Sequence, residues 1–194
     1  NTLVNETAMP WCGHLSRSEL AKVINNGVPP LNNGLGNRVI ETYEYYLEVL
    51  SHYPRVQQGV ALYHPDLQGP FDTAHLLFGS EIYMELYDDP SFIHQLLELI
   101  TETYIKFMRK YLQVTGTVLN GYCYHWNTMY RGNVLLRNDS AVNFSTAMYE
   151  EFAMQYDDMI AKEFGGAAMH YCGQNESWLP TMLKEAKIQS PNFG

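Results

Sequence analysis

His170-Tyr171-Cys172-Gly173 carries the clearest chemical signal in this chain. Residues two apart on a strand project to the same side, so an imidazole and a thiol emerge together there. Both are donors that a borderline metal such as zinc accepts. The stretch follows Gly165-Gly166 and the apolar run Ala167-Ala168-Met169, and it precedes a segment that reads as helix over 175–186. Strand, loop and helix in that order place the pair at a strand's C-terminal end, where parallel α/β folds keep their chemistry. Zinc needs at least three protein donors, so the pair is an incomplete set. The competing reading is a small buried core cysteine beside a histidine bonded to a backbone carbonyl.

Two carboxylates stand in similar places. Asp66 and Asp139 each follow an expected strand, where a carboxylate can orient a histidine or take part in proton transfer. Either equally suits a helix cap or a turn. His64 ends the strand before Asp66, and His75 and His125 are further imidazoles for the same mouth. Trp126, with Tyr122 and Tyr124, offers a floor for a flat ligand, against the alternative of ordinary sheet packing. The expected site therefore has Asp66 and Asp139 as catalytic carboxylates, His64, His125 and Trp126 against the substrate, and His170 and Cys172 on a metal.

The elements that must position these groups alternate. Residues 1–36 read as an irregular Asn- and Gly-rich segment with one short helix near 18–25. Val39, Ile40, Tyr43, Tyr46, Leu47 and Leu50 recur at helical spacing up to Pro54. Gly59-Val60-Ala61-Leu62-Tyr63 reads as a buried strand, followed by the turn-rich loop from His64 to Ala74. Asp72 or Thr73 is placed to cap a helix through Leu76 and Leu77, and Ser80 another that ends at Asp88-Asp89-Pro90. Phe92, Ile93, Leu96, Leu97, Ile100, Tyr104, Phe107, Met108 and Tyr111 mark one face of a helix of about five turns. Thr117-Val118-Leu119 and Val134-Leu135-Leu136 read as strands on either side of the aromatic stretch 122–126. Ser145 opens a helix closed by Gly165-Gly166, and 187–194 reads as a further strand. Strands written as continuous apolar runs between helices imply a parallel sheet covered on both faces.

Composition bounds the rest. The 194 residues are 46% hydrophobic and 17% charged, enough apolar material for one domain spanning 1–194. A net charge of -9 with no Lys/Arg cluster argues against a nucleic-acid partner. No run of about 18 apolar residues and no basic-then-apolar leader points to a membrane or to export. Three widely spaced cysteines, Cys12, Cys123 and Cys172, fit reduced thiols in a cytosol. The expected location is cytoplasmic.

Several stretches taken in order resemble the uroporphyrinogen decarboxylase superfamily. They are Pro65-Asp66-Leu67-Gln68-Gly69-Pro70-Phe71-Asp72, Leu86-Tyr87-Asp88-Asp89-Pro90, Asn138-Asp139-Ser140-Ala141, Met148-Tyr149-Glu150-Glu151-Phe152, and Phe164-Gly165-Gly166 followed by His170-Tyr171-Cys172-Gly173. The resemblance spans most of the chain and implies an α/β fold, a (β/α)₈ barrel with its site at the C-terminal rim. A whole barrel takes about 250 residues, so the expectation is a partial TIM barrel, a fragment of a longer chain with open edges that favour oligomerisation.

The superfamily's corrinoid-dependent methyltransferase branch binds zinc through a His-x-Cys pair and a cysteine much further along. His170 and Cys172 match the first two positions, and no cysteine follows Cys172 here. The resemblance thus implies zinc-dependent methyl transfer between a corrinoid protein, as partner, and a small-molecule thiol. The decarboxylase branch, which acts on uroporphyrinogen III in porphyrin biosynthesis without a metal, is the alternative. It carries a tyrosine shortly after the Gly-Pro-aromatic turn, where this chain has Asp72, Thr73, Ala74, His75 and Leu76. A non-catalytic ligand- or partner-binding module is the reading from another class.

Overall fold

The computed structural model describes residues 13–174, 177–184 and 187–193. The first twelve residues, Cys12 among them, and parts of the expected 175–186 helix lie outside those described. The architecture is mixed α/β, a three-stranded parallel sheet with helices packed around it. The described strands do not close a barrel.

Six helices come first: α1 (Arg17–Asn26), α2 (Gly34–Ser51), α3 (Pro54–Gln57), α4 (Pro70–Phe78), α5 (Ile82–Asp88) and α6 (Pro90–Thr115). The α6 helix is the spine. Its apolar face, from Phe92 through Leu96, Ile100 and Tyr104 to Tyr111, is buried as the periodicity predicts. Pro90 at its first turn and the Asp89 carboxylate, which accepts from the Phe92 N–H, fix its start, and Gly116 in the left-handed conformation fixes its end. Ser16 and Glu19 form a reciprocal capping box on α1. The irregular N-terminal segment thus ends earlier than expected, because α2 already begins at Gly34.

A hairpin follows, β1 (Tyr122–His125) with β2 (Thr128–Arg131), paired antiparallel. The aromatic stretch expected to separate two strands is itself a strand, in keeping with the preference of tyrosine for extended backbone. Trp126 and Asn127 form its two-residue turn, both with left-handed φ, 46° and 62°. That is the turn geometry whose twist matches a hairpin, usually reserved for Asn or Gly.

The parallel sheet has the order β3 (Val134–Arg137), β4 (Ala167–Tyr171), β5 (Ile188–Phe193). Every residue of β3 and β4 is buried, as strands covered on both faces must be. Between β3 and β4 run a 3₁₀ turn (Asp139–Asn143) and one helical stretch, α7 (Thr146–Tyr149), a π-helical turn (Glu150–Met154) and α8 (Gln155–Phe164). The short α9 (Leu179–Lys184) joins β4 to β5. Gly132 permits the close approach of hairpin and sheet: a Cβ there would lie 2.4 Å from the Ala167 carbonyl carbon.

Several expectations need correction. The run 59–63 is not a strand; the carbonyls of Leu62 and Tyr63 accept from the Tyr111 and Tyr43 hydroxyls instead of from a ladder. Residues 117–119 are irregular as well. Ser80 does not cap α5, whose N-cap is Glu81 without a side-chain bond. Gly69, not Asp72 or Thr73, is the N-cap of α4, with Pro70 at its first position. The β3 edge is also less open than expected. The Leu135 N–H donates to His64 Nε2 at 3.1 Å, its carbonyl accepts from Tyr104 Oη at 3.4 Å, and the Arg137 carbonyl accepts from the Gly69 N–H at 2.8 Å.

Candidate metal centre

The parallel register places Arg137, His170 and Asn192 side by side at the C-terminal ends of β3, β4 and β5. Cys172 lies just past the end of β4, and Asp139 opens the 3₁₀ turn just past β3. His170 Nδ1–H donates to Asn192 Oδ1 at 2.6 Å, which leaves Nε2 as the lone-pair nitrogen. That Nε2 lies 3.3 Å from Cys172 Sγ and 3.9 Å from Asp139 Oδ1. One donor atom from each of Asp139, His170 and Cys172 lies within 4.8 Å of both others. Donors on a tetrahedral zinc are about 3.5 Å apart, from bond lengths of about 2.0–2.3 Å. Little movement separates this arrangement from coordination, and the carboxylate and thiolate together match the charge of a divalent ion.

The pair on one strand end therefore gains its third donor from the neighbouring strand end. Asp139 is held in place twice over. Its Oδ1 accepts from the Cys172 N–H at 2.6 Å. Its own N–H, with that of Ser140, donates to the buried Asp72 carboxylate at 2.9 and 2.7 Å. Asp72 thus anchors the 3₁₀ turn. Burial pushes its carboxyl up to about 6, against the pull of the bonds from Ser140 and Asp139. Partial desolvation and the adjacent Asp139 carboxylate push the Cys172 thiol up as well, so it holds its proton unless a cation takes the proton's place.

The other expected residues fall into a neighbouring network around Arg137. The Arg137 side chain is 7% exposed; its Nε donates to Asp66 Oδ1 at 2.8 Å, and Nη2 donates to His125 Nε2. Its guanidinium carbon sits 4.1 Å over the Trp126 ring. Trp126 in turn meets His170 edge to face at 5.0 Å. The indole is half exposed and covers one side of the His170 ring. Asp66 compensates the Arg137 charge, which keeps the guanidinium from repelling a cation at the triad.

His64 and His125 have different fates. Both His64 nitrogens are engaged, Nδ1–H donating to the Pro65 carbonyl and Nε2 accepting from Leu135. Burial lowers its pKa to about 4, and it seals a strand edge. His125 is buried against Trp126 and Arg137, with its pKa lowered by that burial and by the Arg137 charge. His75 lies away from the triad, bonded to Ser140 Oγ at 2.8 Å. Tyr122 and Tyr124 line a separate half-open cleft with Tyr63 and Leu62, about 320 Å³ in volume.

Sequence reasoning missed Arg137, Asn138 and Asn192. Arg137 and Asn138 interrupt the apolar run of β3, a signal that marks them, whereas Asn192 sits in the mixed stretch Gln189-Ser190-Pro191-Asn192 and carries no such mark. No helix among the described residues is long and apolar enough to cross a membrane. Comparison of the chain with protein-family models and with curated proteins found no match.

Proposed function

We propose that the chain is part of a (β/α)₈ barrel enzyme of the uroporphyrinogen decarboxylase superfamily type, and that it binds zinc for methyl transfer from a corrinoid protein to a small thiol. The observation that carries this reading is the convergence of Asp139, His170 and Cys172 at two adjacent parallel strand ends. Zinc held there would bring a substrate thiol to its thiolate near neutral pH, ready to accept a methyl group. The chain's own residues supply the rest. Asn192 fixes the His170 tautomer, the Cys172 N–H and Asp72 orient Asp139, and Trp126 restricts water on one side. The triad would fill three positions on zinc and leave the fourth for substrate, the composition of a catalytic rather than a structural zinc site.

Zinc content measured on the purified chain, with and without Cys172→Ser, tests the proposal. The expected result is about one zinc in the parent and none retained by the variant after dialysis. Equal content in both removes Cys172 from the ligand set. Turnover of uroporphyrinogen III in the presence of a chelator would replace methyl transfer with the metal-free decarboxylation.

A further inference from the structure

Asn138 is the hinge between the halves of the centre. It lies between Arg137 and Asp139, and its backbone N–H donates to the His170 carbonyl at 3.0 Å. Its carboxamide is fully buried, and the amide nitrogen donates to Oδ2 of Asp157 on α8. Two oxygens of this same pair, Asn138 Oδ1 and Asp157 Oδ1, are buried without a hydrogen-bond partner among the described residues. A buried acceptor left unpaired is costly, and an unpaired buried carboxylate more so.

One proton removes both deficits. A carboxylic acid O–H at Oδ1 can donate to the carboxamide oxygen while the amide N–H donates to Oδ2, closing a two-bond ring between the planar groups. The surroundings favour the neutral form. The acidic groups of Asp72 on α4 and of Asp158, next to Asp157 on α8, oppose a negative charge there, as do the phenols of Tyr104 on α6 and Tyr149 on α7. The nearby cation Lys162 is paired with Asp158. Among the described residues, no cation is among the groups that act on Asp157.

We infer that Asp157 is held as the neutral carboxylic acid in a ring with the Asn138 carboxamide, and that it acts as a positioning residue for the strand ends bearing Asp139 and His170. The protonation state stands independently of any metal; the positioning role rests on the metal-centre reading above. The consequence at the centre is transmitted through Asn138, whose side chain the acid locks and whose backbone ties β3 to β4.

Nuclear magnetic resonance of the chain labelled with ¹³C at aspartate carboxyls reads the protonation directly, with the resonance absent from Asp157→Asn assigned to Asp157. The expected signal is that of a neutral acid, unchanged from about pH 5 to pH 8. A carboxylate shift at neutral pH overturns the inference, whether a buried cation or nothing compensates the charge. Asp157→Asn should fold like the parent, since an amide makes the same ring; failure to fold would also overturn it. Cobalt(II) titration followed by absorbance reads the positioning role. Asp157→Ala should weaken cobalt binding by about 10-fold, while Asp157→Asn keeps the parent affinity. Equal affinity in Asp157→Ala and the parent removes the role. A parent that binds no cobalt ends the metal reading and the positioning role with it, and leaves the resonance measurement to decide the protonation state alone.

Discussion

The strand-end centre and the tyrosine-lined cleft are close neighbours with opposite chemistry. Around the centre, Asp66, Asp139, Arg137, His125, His170 and Cys172 crowd into contact, linked by polar contacts and by the edge-to-face packing of Trp126 on His170. The cleft encloses about 320 Å³, yet among the described residues no Asp, Glu, Lys or Arg lines it. Its thiol, Cys123, is pushed up to about 12 by burial and stays protonated. Volume and reactivity are therefore built separately here. Reactivity follows the register of the parallel strands, which brings polar side chains into one row at their C-terminal ends. Volume follows from an irregular segment, 59–63, that does not pair as a strand.

His64 borders both regions, lining the cleft and stacking on His125 at 6.4 Å, so it gives the largest expected effect. Its imidazole is neutral in the fold with a pKa of about 4, whereas an unfolded chain takes up the proton near 6.5. The fold therefore loses stability as pH falls from about 6.5 to about 4, by about 3 kcal/mol in all, and no further below. Asp72 acts in the opposite direction, because its folded pKa of about 6 lies above the unfolded value and favours the fold as pH falls through that range. Urea unfolding of the parent and of His64→Gln across this window isolates the histidine, since Asp72 is common to both. A constant difference between the two would show that His64 is not buried neutral, and would break the division between edge-sealing and site histidines.

Asn192 belongs to the centre alone. Asn192→Ala frees the His170 ring to turn and to change tautomer, and should weaken zinc binding by roughly 10- to 100-fold. A competition titration with a chromophoric chelator measures it. Unchanged affinity would mean that the row of strand-end side chains is not what prepares the histidine.

Tyr124 belongs to the cleft. Tyr124→Ala should leave zinc affinity as it is and shift stability by about 0.5 kcal/mol or less, the usual range for an exposed position. A loss of metal binding in this variant would erase the separation between the two regions.

Much of this organisation was legible in the sequence where periodicity was strong. The α6 stripe, the helix from Ser145 to the Gly165-Gly166 stop, and the buried run of β4 follow from spacing, because a long apolar face or a wholly apolar strand has few alternatives. Short runs were less informative. Val60, Ala61 and Leu62 suit a strand, but whether they form one depends on a partner edge, and that edge is met by the His64 side chain. The His170 and Cys172 pair was legible because both lie near one strand end. Asp139 stood out as a carboxylate, but its place beside that pair depends on the alignment of two strands about thirty residues apart, which no local pattern encodes. Arg137 and Asn192 were overlooked because strand-end polar residues resemble the start of a loop.

A bulky residue with left-handed φ costs of order 1 kcal/mol or more relative to glycine, and this chain bears that cost at 126. The mutation that would most relax the hairpin is therefore the one that removes the indole from the guanidinium and the imidazole beneath it. Glycine at 126 would relieve the turn and in the same step strip the ring contacts from Arg137, His125 and His170, so backbone strain and the packing of the strand-end row are tied to one residue.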